Sequence, residues 1–434
     1  MKKFFQLIFF YIVISFCNYQ YVFADNFSTK LNNIFGKITE ESNSILNKTL
    51  DSFSSIMNEL DQAIDEEIAS LKSAEEEESK IDIQDKMDSI RIHLEDITDL
   101  KKKESSASNF TIISKSKKDY RIKIDEVLEE IEPILFDGEV VNYASRIREI
   151  RKNIKDFETQ KVRLNEKFVF APEKESLLKS SKKEIKNEIK KIDRLIKKSY
   201  KLIDELEFDL KRKMHKLGIK LTREQIRVMT TRIDGDELSR SFAIFDVTKQ
   251  ISETLSKIMT ENSFSGTATV KYYGTYVVMS EILGFSQRRY IEKIEDTYLP
   301  ALDKIEKNIK DAIEFAETSI KGAKTEQSKK ILKSNIKSNE FTMKVLGQYR
   351  NILINQMKSL QNALDRTKEQ ITVAYSTYDT AANSANLVNL INQTQDSFNK
   401  IMNMQLPNIV PFENKELEIK FLEISDQLVQ STES

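Results

Sequence analysis

Apolar residues recur along this chain at alternating steps of three and four, the spacing that lines one face of an α-helix. The first stripe reads Leu46, Leu50, Phe53, Met57, Leu60 and Ile64, a seam of about three heptads that one partner helix can cover. Glu66, Glu67 and the run Glu75 to Glu78 break that register. A second seam, Ile83, Met87, Ile90, Leu94 and Ile97, starts on another phase, so a stutter or bend lies between them. The cleanest seam is Ile185, Ile189, Ile192, Ile196, Ile203, Leu206, Leu210 and Leu217, interrupted at Ser199 and Lys213. Its lysine-rich flanks are interleaved with Glu184, Glu188, Asp193, Asp204, Glu205, Glu207 and Asp209. That mixture marks a solvated helix flank rather than a basic membrane-seeking face. Gly218 follows, where a helix end favours a residue without Cβ.

Thr222-Arg223-Glu224-Gln225 has capping-box spacing and opens a second half that reads as nearly continuous helix. Turns are expected at Asp234-Gly235-Asp236, at Asn262 to Gly266, at Gly322 and at Leu406-Pro407. Seams recur at Leu302, Ile305, Ile309 and Ile313, then at Leu346, Tyr349, Leu353, Met357, Leu360 and Leu364. The spacing predicts a helix from about Ser338 to Met404, roughly 90 Å long at ~1.5 Å per residue. Such a helix must pair along most of its course. Pro407 and Pro411 then bracket an extended Asn408-Ile409-Val410, and a last helix, Lys415 to Val429, folds back.

The segment from 110 to 141 is the least helical. Phe110 to Ile113 and Tyr120 to Ile124 are rich in β-branched and aromatic residues, and Asp137-Gly138 carries a hairpin signal. A helix from Ile122 to about Glu132 competes, because Ile124, Val127, Leu128 and Ile131 share a face and Pro133 would end it. At most one small β element is expected. A further pause is expected at Phe168 to Pro172.

These readings give an all-α chain: a leader over 1–24, N-terminal coiled-coil helices over 25–103, an irregular insert over 104–141 and a coiled-coil arm over 142–218. A long-helix bundle over 219–405 and an extended segment with a terminal helix over 406–434 complete it. Composition agrees, with only nine Gly and five Pro in 434 residues and 32% charged residues, too few turn formers for a sheet protein.

Met1-Lys2-Lys3, the apolar core Phe4 to Phe16 and Val22-Phe23-Ala24 form a secretory signal pattern with cleavage expected after Ala24. Retention as an N-terminal anchor and lipidation at Cys17 are the alternatives, and Phe16 before Cys17 argues against the latter. The expected location is periplasmic or secreted. Cys17 is the single cysteine, so the rest of the chain offers no disulfide, thiolate metal ligand or cysteine nucleophile. The histidines number two, His93 and His215. Triad hydrolysis and Cys/His zinc chemistry therefore lack parts. No catalytic residue, metal ligand or cofactor is assigned, and the chain reads as a non-enzyme. With 68 basic against 69 acidic residues there is no basic excess to draw nucleic acid.

Asp234-Gly235-Asp236-Glu237 fails the calcium-loop pattern, since the alternating positions are Asp236, Leu238 and Arg240 and the closing one is Phe245. A helix junction with Asp236 as N-cap is the reading. Ala268 to Phe285 is the most apolar run after the leader, with only Lys271 and Glu281 charged. It is read as the central helix of a bundle, with Gly274, Ser280 and Gly284 permitting close approach. The alternative is a membrane-inserting element, for which Tyr272, Tyr273, Tyr276, Val277 and Val278 are the candidate partner or membrane contacts. Tyr375, Tyr378, Ala381, Ala382 and Ala385 form a small-and-aromatic stripe, and Asn383, Asn386, Asn389 and Asn392 run beside it, read as a solvated face with a polar seam or an interface face as the alternative.

The stretches KYYGTYVVMSEIL, IEDTYLPALDKI, STYDTAANSANLVNLI and LPNIVPFEN resemble an uncharacterised group of exported coiled-coil proteins of Gram-negative bacteria. The resemblance spans roughly Leu221 to Leu428. It implies a helical fold and an envelope location, and it carries no activity and no functional residue. The expected function is a non-enzymatic scaffold or tether that binds a protein partner or a second copy through its seams. A membrane-active helical protein inserting residues 268–285 is the second expectation.

Overall fold

The computed structural model describes residues 50–73, 89–90, 92–109, 115–135, 143–171, 182–216, 219–261, 266–383 and 409–432. Its helices are α1 (Leu50–Ser73), α2 (Leu94–Ser106), α3 (Lys117–Leu135), α4 (Tyr143–Phe170) and α5 (Lys182–Lys216). They continue as α6 (Arg223–Thr231), α7 (Gly235–Glu261), α8 (Gly266–Lys293), α9 (Leu299–Gly322), α10 (Glu326–Asn383) and α11 (Lys415–Thr432). The fold is all-α, with no strand among the described residues. The leader, Phe110 to Ile113, the Asp137-Gly138 signal, Leu217-Gly218, Asn386 to Asn392 and Leu406-Pro407 lie outside the described residues.

The chain divides into two compact units: 1–79 with 145–210, and 80–144 with 211–434. In the first unit, α1 buries Met57, Leu60 and Ile64, and α4 buries Ile147, Ile150, Ile154 and Phe157. They meet α5 around a cavity of about 10 Å³ lined by Leu60, Ile64, Ile150, Asn153, Phe157, Ser199 and Leu202. Ion pairs stitch the rim: Lys198 with Asp61 at 2.8 Å and Asp65 at 2.6 Å, Arg151 with Glu207 at 3.5 Å, and Arg146 with Glu67. The α5 seam is wider than its sequence reading. Ile185, Ile192, Ile203, Leu206 and Leu210 are buried as expected, but Leu195, Ser199 and Leu202 are buried too, and Ile189 and Ile196 lie half-exposed at the edge. The reason is geometric: α5 faces two neighbours, α1 and α4, so its buried face is broader than a seam drawn for one partner.

The second unit is built on α8. All residues from Tyr273 to Gln287 are buried, so this part of the helix is enclosed on every side. α10 runs along it, and α7, α2 and α3 close the remaining faces. The small residues permit the contact: a Cβ at Gly274 would fall 2.2 Å from Leu94 Cδ2, and one at Gly284 3.1 Å from Ile371 Cδ1. α8 passes through a π-turn, Ile294–Tyr298, into α9, two residues before Pro300. Proline lacks the N–H and crowds the carbonyl four residues back, which matches a register change at that place. After a turn at 323–325, capped by the Ser328 N–H donating to Thr325 Oγ1 at 3.1 Å, α10 returns antiparallel to α9.

α10 has 58 residues and begins at Glu326 rather than near Ser338. Its first turns carry lysines, serines and asparagines instead of a wide apolar face, so periodicity understated them. Residues Lys117–Leu135 are helical, with Ile124, Leu128 and Ile131 buried, which corrects the β-rich reading of Tyr120 to Ile124. Pro133 sits in the last turn of that helix rather than after it. The pause at Phe168 likewise falls inside α4, which ends at Phe170.

Gly347 stands in the interior of α10, and a Cβ there would meet nothing within 4 Å. Gly347→Ala should therefore stabilise the chain by about 0.5–1 kcal/mol, since alanine narrows the unfolded ensemble and is the better helix former. A rise in the urea midpoint followed by far-UV circular dichroism checks this.

Candidate functional site

The side chains that carry chemistry in the second unit converge at two buried polar clusters. The first lies in the turn between α6 and α7. The expected capping box of α6 is present in both directions: Gln225 N–H donates to Thr222 Oγ1 at 3.2 Å and Thr222 N–H to Gln225 Oε1 at 2.9 Å. Gln225 Nε2 also donates to the Ile409 carbonyl at 3.0 Å, which ties the extended segment before α11 to this corner. α6 ends at Thr231, and Arg232 then folds over Asp234, with Nε donating to Oδ1 at 2.8 Å and Nη2 to Oδ2 at 2.5 Å. Tyr290 of α8 donates its hydroxyl to the same Oδ2 at 2.6 Å. Tyr349 of α10 accepts from the Ile233 N–H at 2.6 Å and lies 3.0 Å from Ser425 Oγ on α11. Its ring stacks on Phe421 with centroids 4.8 Å apart.

α7 starts at Gly235, so Asp236 is a first-turn residue and not the N-cap expected from sequence. Its carboxylate accepts from the Ala144 N–H at 3.0 Å. Glu237 accepts from Lys293 and, at 2.7 Å, from the Tyr298 hydroxyl. The three carboxylates of this turn are therefore consumed by packing. Among the described residues no group of His, Cys, Asp or Glu is arranged to hold a metal ion.

Burial opposes the charge of Arg232, but the Asp234 carboxylate more than offsets it and holds the guanidinium protonated above its ordinary range. Burial, reinforced by the Asp234 charge, pushes the Tyr349 phenol up to about 12 and the Tyr290 phenol well above 10. Raised tyrosine values keep protons on the folded state while the unfolded chain loses them, so stability present below pH 10 is lost as pH climbs. Tyr349 alone should contribute a loss of about 2 kcal/mol between pH 10 and pH 12. Denaturation midpoints across that interval should fall more gently in Tyr349→Phe than in the wild type.

The second cluster surrounds Glu281, fully buried at the middle of α8. Arg121 of α3 donates Nη1 to Glu281 Oε2 at 2.7 Å and makes a two-point contact with Glu104 of α2 at 2.9 and 2.8 Å. Lys101 lies 2.7 Å from Glu104, 3.6 Å from Glu281, and 5.5 Å from the Tyr375 ring centroid. Burial pushes the Glu104 carboxyl up, yet Lys101 and Arg121 together bring it below its usual range. Beside this cluster Arg288 of α8 pairs with Asp125 of α3 at 2.6 Å. Both clusters cross-link helices.

Of the candidate contact residues, Tyr273, Tyr276, Val277 and Val278 are buried in the core of the unit. They do not face a partner or a membrane in this conformation, because α10, α7, α2 and α3 already cover α8. Tyr276 donates its hydroxyl to Gln370 Oε1 of α10 at 3.2 Å. The side chain of Tyr272 lies outside the described residues. No helix among the described residues is long and apolar enough to cross a membrane.

What sequence reasoning missed is the surface at the other end of the unit. From about Glu306 to Lys344 the α9–α10 hairpin buries little but Ala316, and Phe315 and Ile331 are 74% and 54% exposed. The signal was present as apolar residues off the seam phase. Comparison with family models, with curated proteins and with solved structures finds no match to this chain.

Proposed function

We propose that the chain is a non-enzymatic scaffold or tether of the envelope or the extracellular space, acting through helical contact surfaces. The observation that carries this reading is the outer α9–α10 hairpin, two paired helices that bury little but Ala316 between Glu306 and Lys344. Two helices alone cannot bury a broad apolar face, and a large apolar side chain such as Phe315 held in water gains by contact. The leader pattern at Met1 to Ala24 supports the location.

In-cell photo-crosslinking tests the reading, with a photoreactive residue at Phe315 and another at Tyr276. Discrete protein adducts at Phe315, with only intramolecular products at Tyr276, are expected. Absence of protein adducts at Phe315 counts against a scaffold. Lipid adducts at Tyr276 would instead bring forward the membrane-active alternative, in which residues 268–285 leave the core.

A further inference from the structure

The outer hairpin sorts its exposed side chains by chemistry. Its inward positions are Ile309, Ile313, Ala316 and Ile320 on α9, with Leu332, Ile336, Asn339 and Met343 on α10. Each residue one step after an inward position is Lys or Glu, as at Lys310, Glu314, Lys321, Lys333, Lys337 and Glu340. Each residue one step before is uncharged, as at Asn308, Phe315, Ser319, Ile331, Asn335 and Ser338. Right-handed helices running antiparallel turn in opposite senses about a common view, so the two preceding sets share one face and the two following sets share the other. The hairpin thus has a charged face and an uncharged one. Phe315 and Ile331 stand at nearly the same level of the uncharged face, one on each helix.

We infer that this uncharged face docks on the same face of a second copy of the chain, an inference that rests on the scaffold reading above. In a two-fold pair a surface meets itself, so a charged face would set like charges against each other. The eight positions of the face from Asn308 to Ser319 and from Ile331 to Thr342 carry none, and Asp311 stands at its outer edge one turn before Phe315. A two-fold axis between Phe315 and Ile331 lays the phenyl ring of one copy on the isoleucine of the other, with Asn and Ser forming the polar rim of such contacts. At ~1.5 Å per residue over about twelve residues and roughly 20 Å across two helices, the face offers on the order of 400 Å² per copy, the size of a weak, reversible contact. A lipid surface fits less well. Two large apolar side chains among Asn, Ser and Thr give little area to bury in acyl chains, and the lysines lie on the opposite face.

Sedimentation equilibrium of the whole chain, expressed from Met1 and purified, tests this against the double variant Phe315→Glu with Ile331→Glu and the control Lys337→Glu. The wild type is expected to dimerise with a micromolar dissociation constant. The double variant should weaken dimerisation at least about thirtyfold, since its charges enter the interface twice, while the control stays within about threefold. Unchanged far-UV circular dichroism shows that all three remain folded. A dimer indifferent to the double variant places the interface elsewhere and overturns the inference. A wild type monomeric at every concentration also overturns it, and protein adducts at Phe315 would then leave the scaffold reading standing with a different partner. A monomer that binds anionic vesicles through Phe315 and Ile331 would assign the face to lipid instead.

Discussion

Asp234→Ala should cost the fold about 3–5 kcal/mol, read as a fall in unfolding free energy from urea titration. The carboxylate is fully buried and holds three donors, two from Arg232 and one from Tyr290. Alanine leaves a guanidinium with 4% side-chain exposure facing an empty site, and it removes the acceptor of a buried phenol. The damage spreads because Ile233, between the pair, donates its N–H to Tyr349, which contacts Ser425. One turn therefore ties α8, α10 and α11 together. Asp234→Asn keeps the shape and an acceptor oxygen, and should cost roughly half as much. A loss under about 1 kcal/mol for the alanine variant would remove this turn from the list of determinants of the fold.

Glu281→Ala is the second large effect, about 3–4 kcal/mol by the same measurement. It leaves Arg121 and Lys101 sharing the single carboxylate of Glu104 and opens a void in α8. The more telling variant is Glu281→Leu with Arg121→Met. Removing both buried partners spares the fold an uncompensated charge, and Glu104 keeps Lys101. The double variant should therefore lose less than Glu281→Ala alone, by at least about 1 kcal/mol. Simple additivity of the two changes would mean that the pair is not coupled across α3 and α8.

The sequence made the helices legible wherever a stripe faced a neighbour. Ala268 to Phe285 reads as a helix apolar on all sides, and the structure encloses it from Tyr273 to Phe285. The Thr222 box could be read because both partners lie within one turn. Legibility failed where a partner is distant in the chain: Glu281 and Arg121 are 160 residues apart, and no spacing rule joins them. It also failed where a rule about one neighbour met two, as at Leu195 and Leu202 of α5. The irregular reading of 110–141 gave weight to β-branched residues, whereas Ile124, Leu128 and Ile131 keep a helical face, and burial of that face decides. The outer hairpin escaped notice for the opposite reason. Its interest lies in residues off the seam, which a search for core positions passes over.

The most direct test of the account is hydrogen exchange on the whole chain at two concentrations, one below and one above the dissociation constant of the dimer. The amides of α8 from Tyr273 to Gln287 should exchange slowest at both concentrations, since they form the enclosed core. The amides of α9 and α10 around Phe315 and Ile331 should exchange fast when dilute and gain protection when concentrated. Fast exchange in α8, or a hairpin whose exchange ignores concentration, would contradict the account of a buried central helix and a self-docking tip.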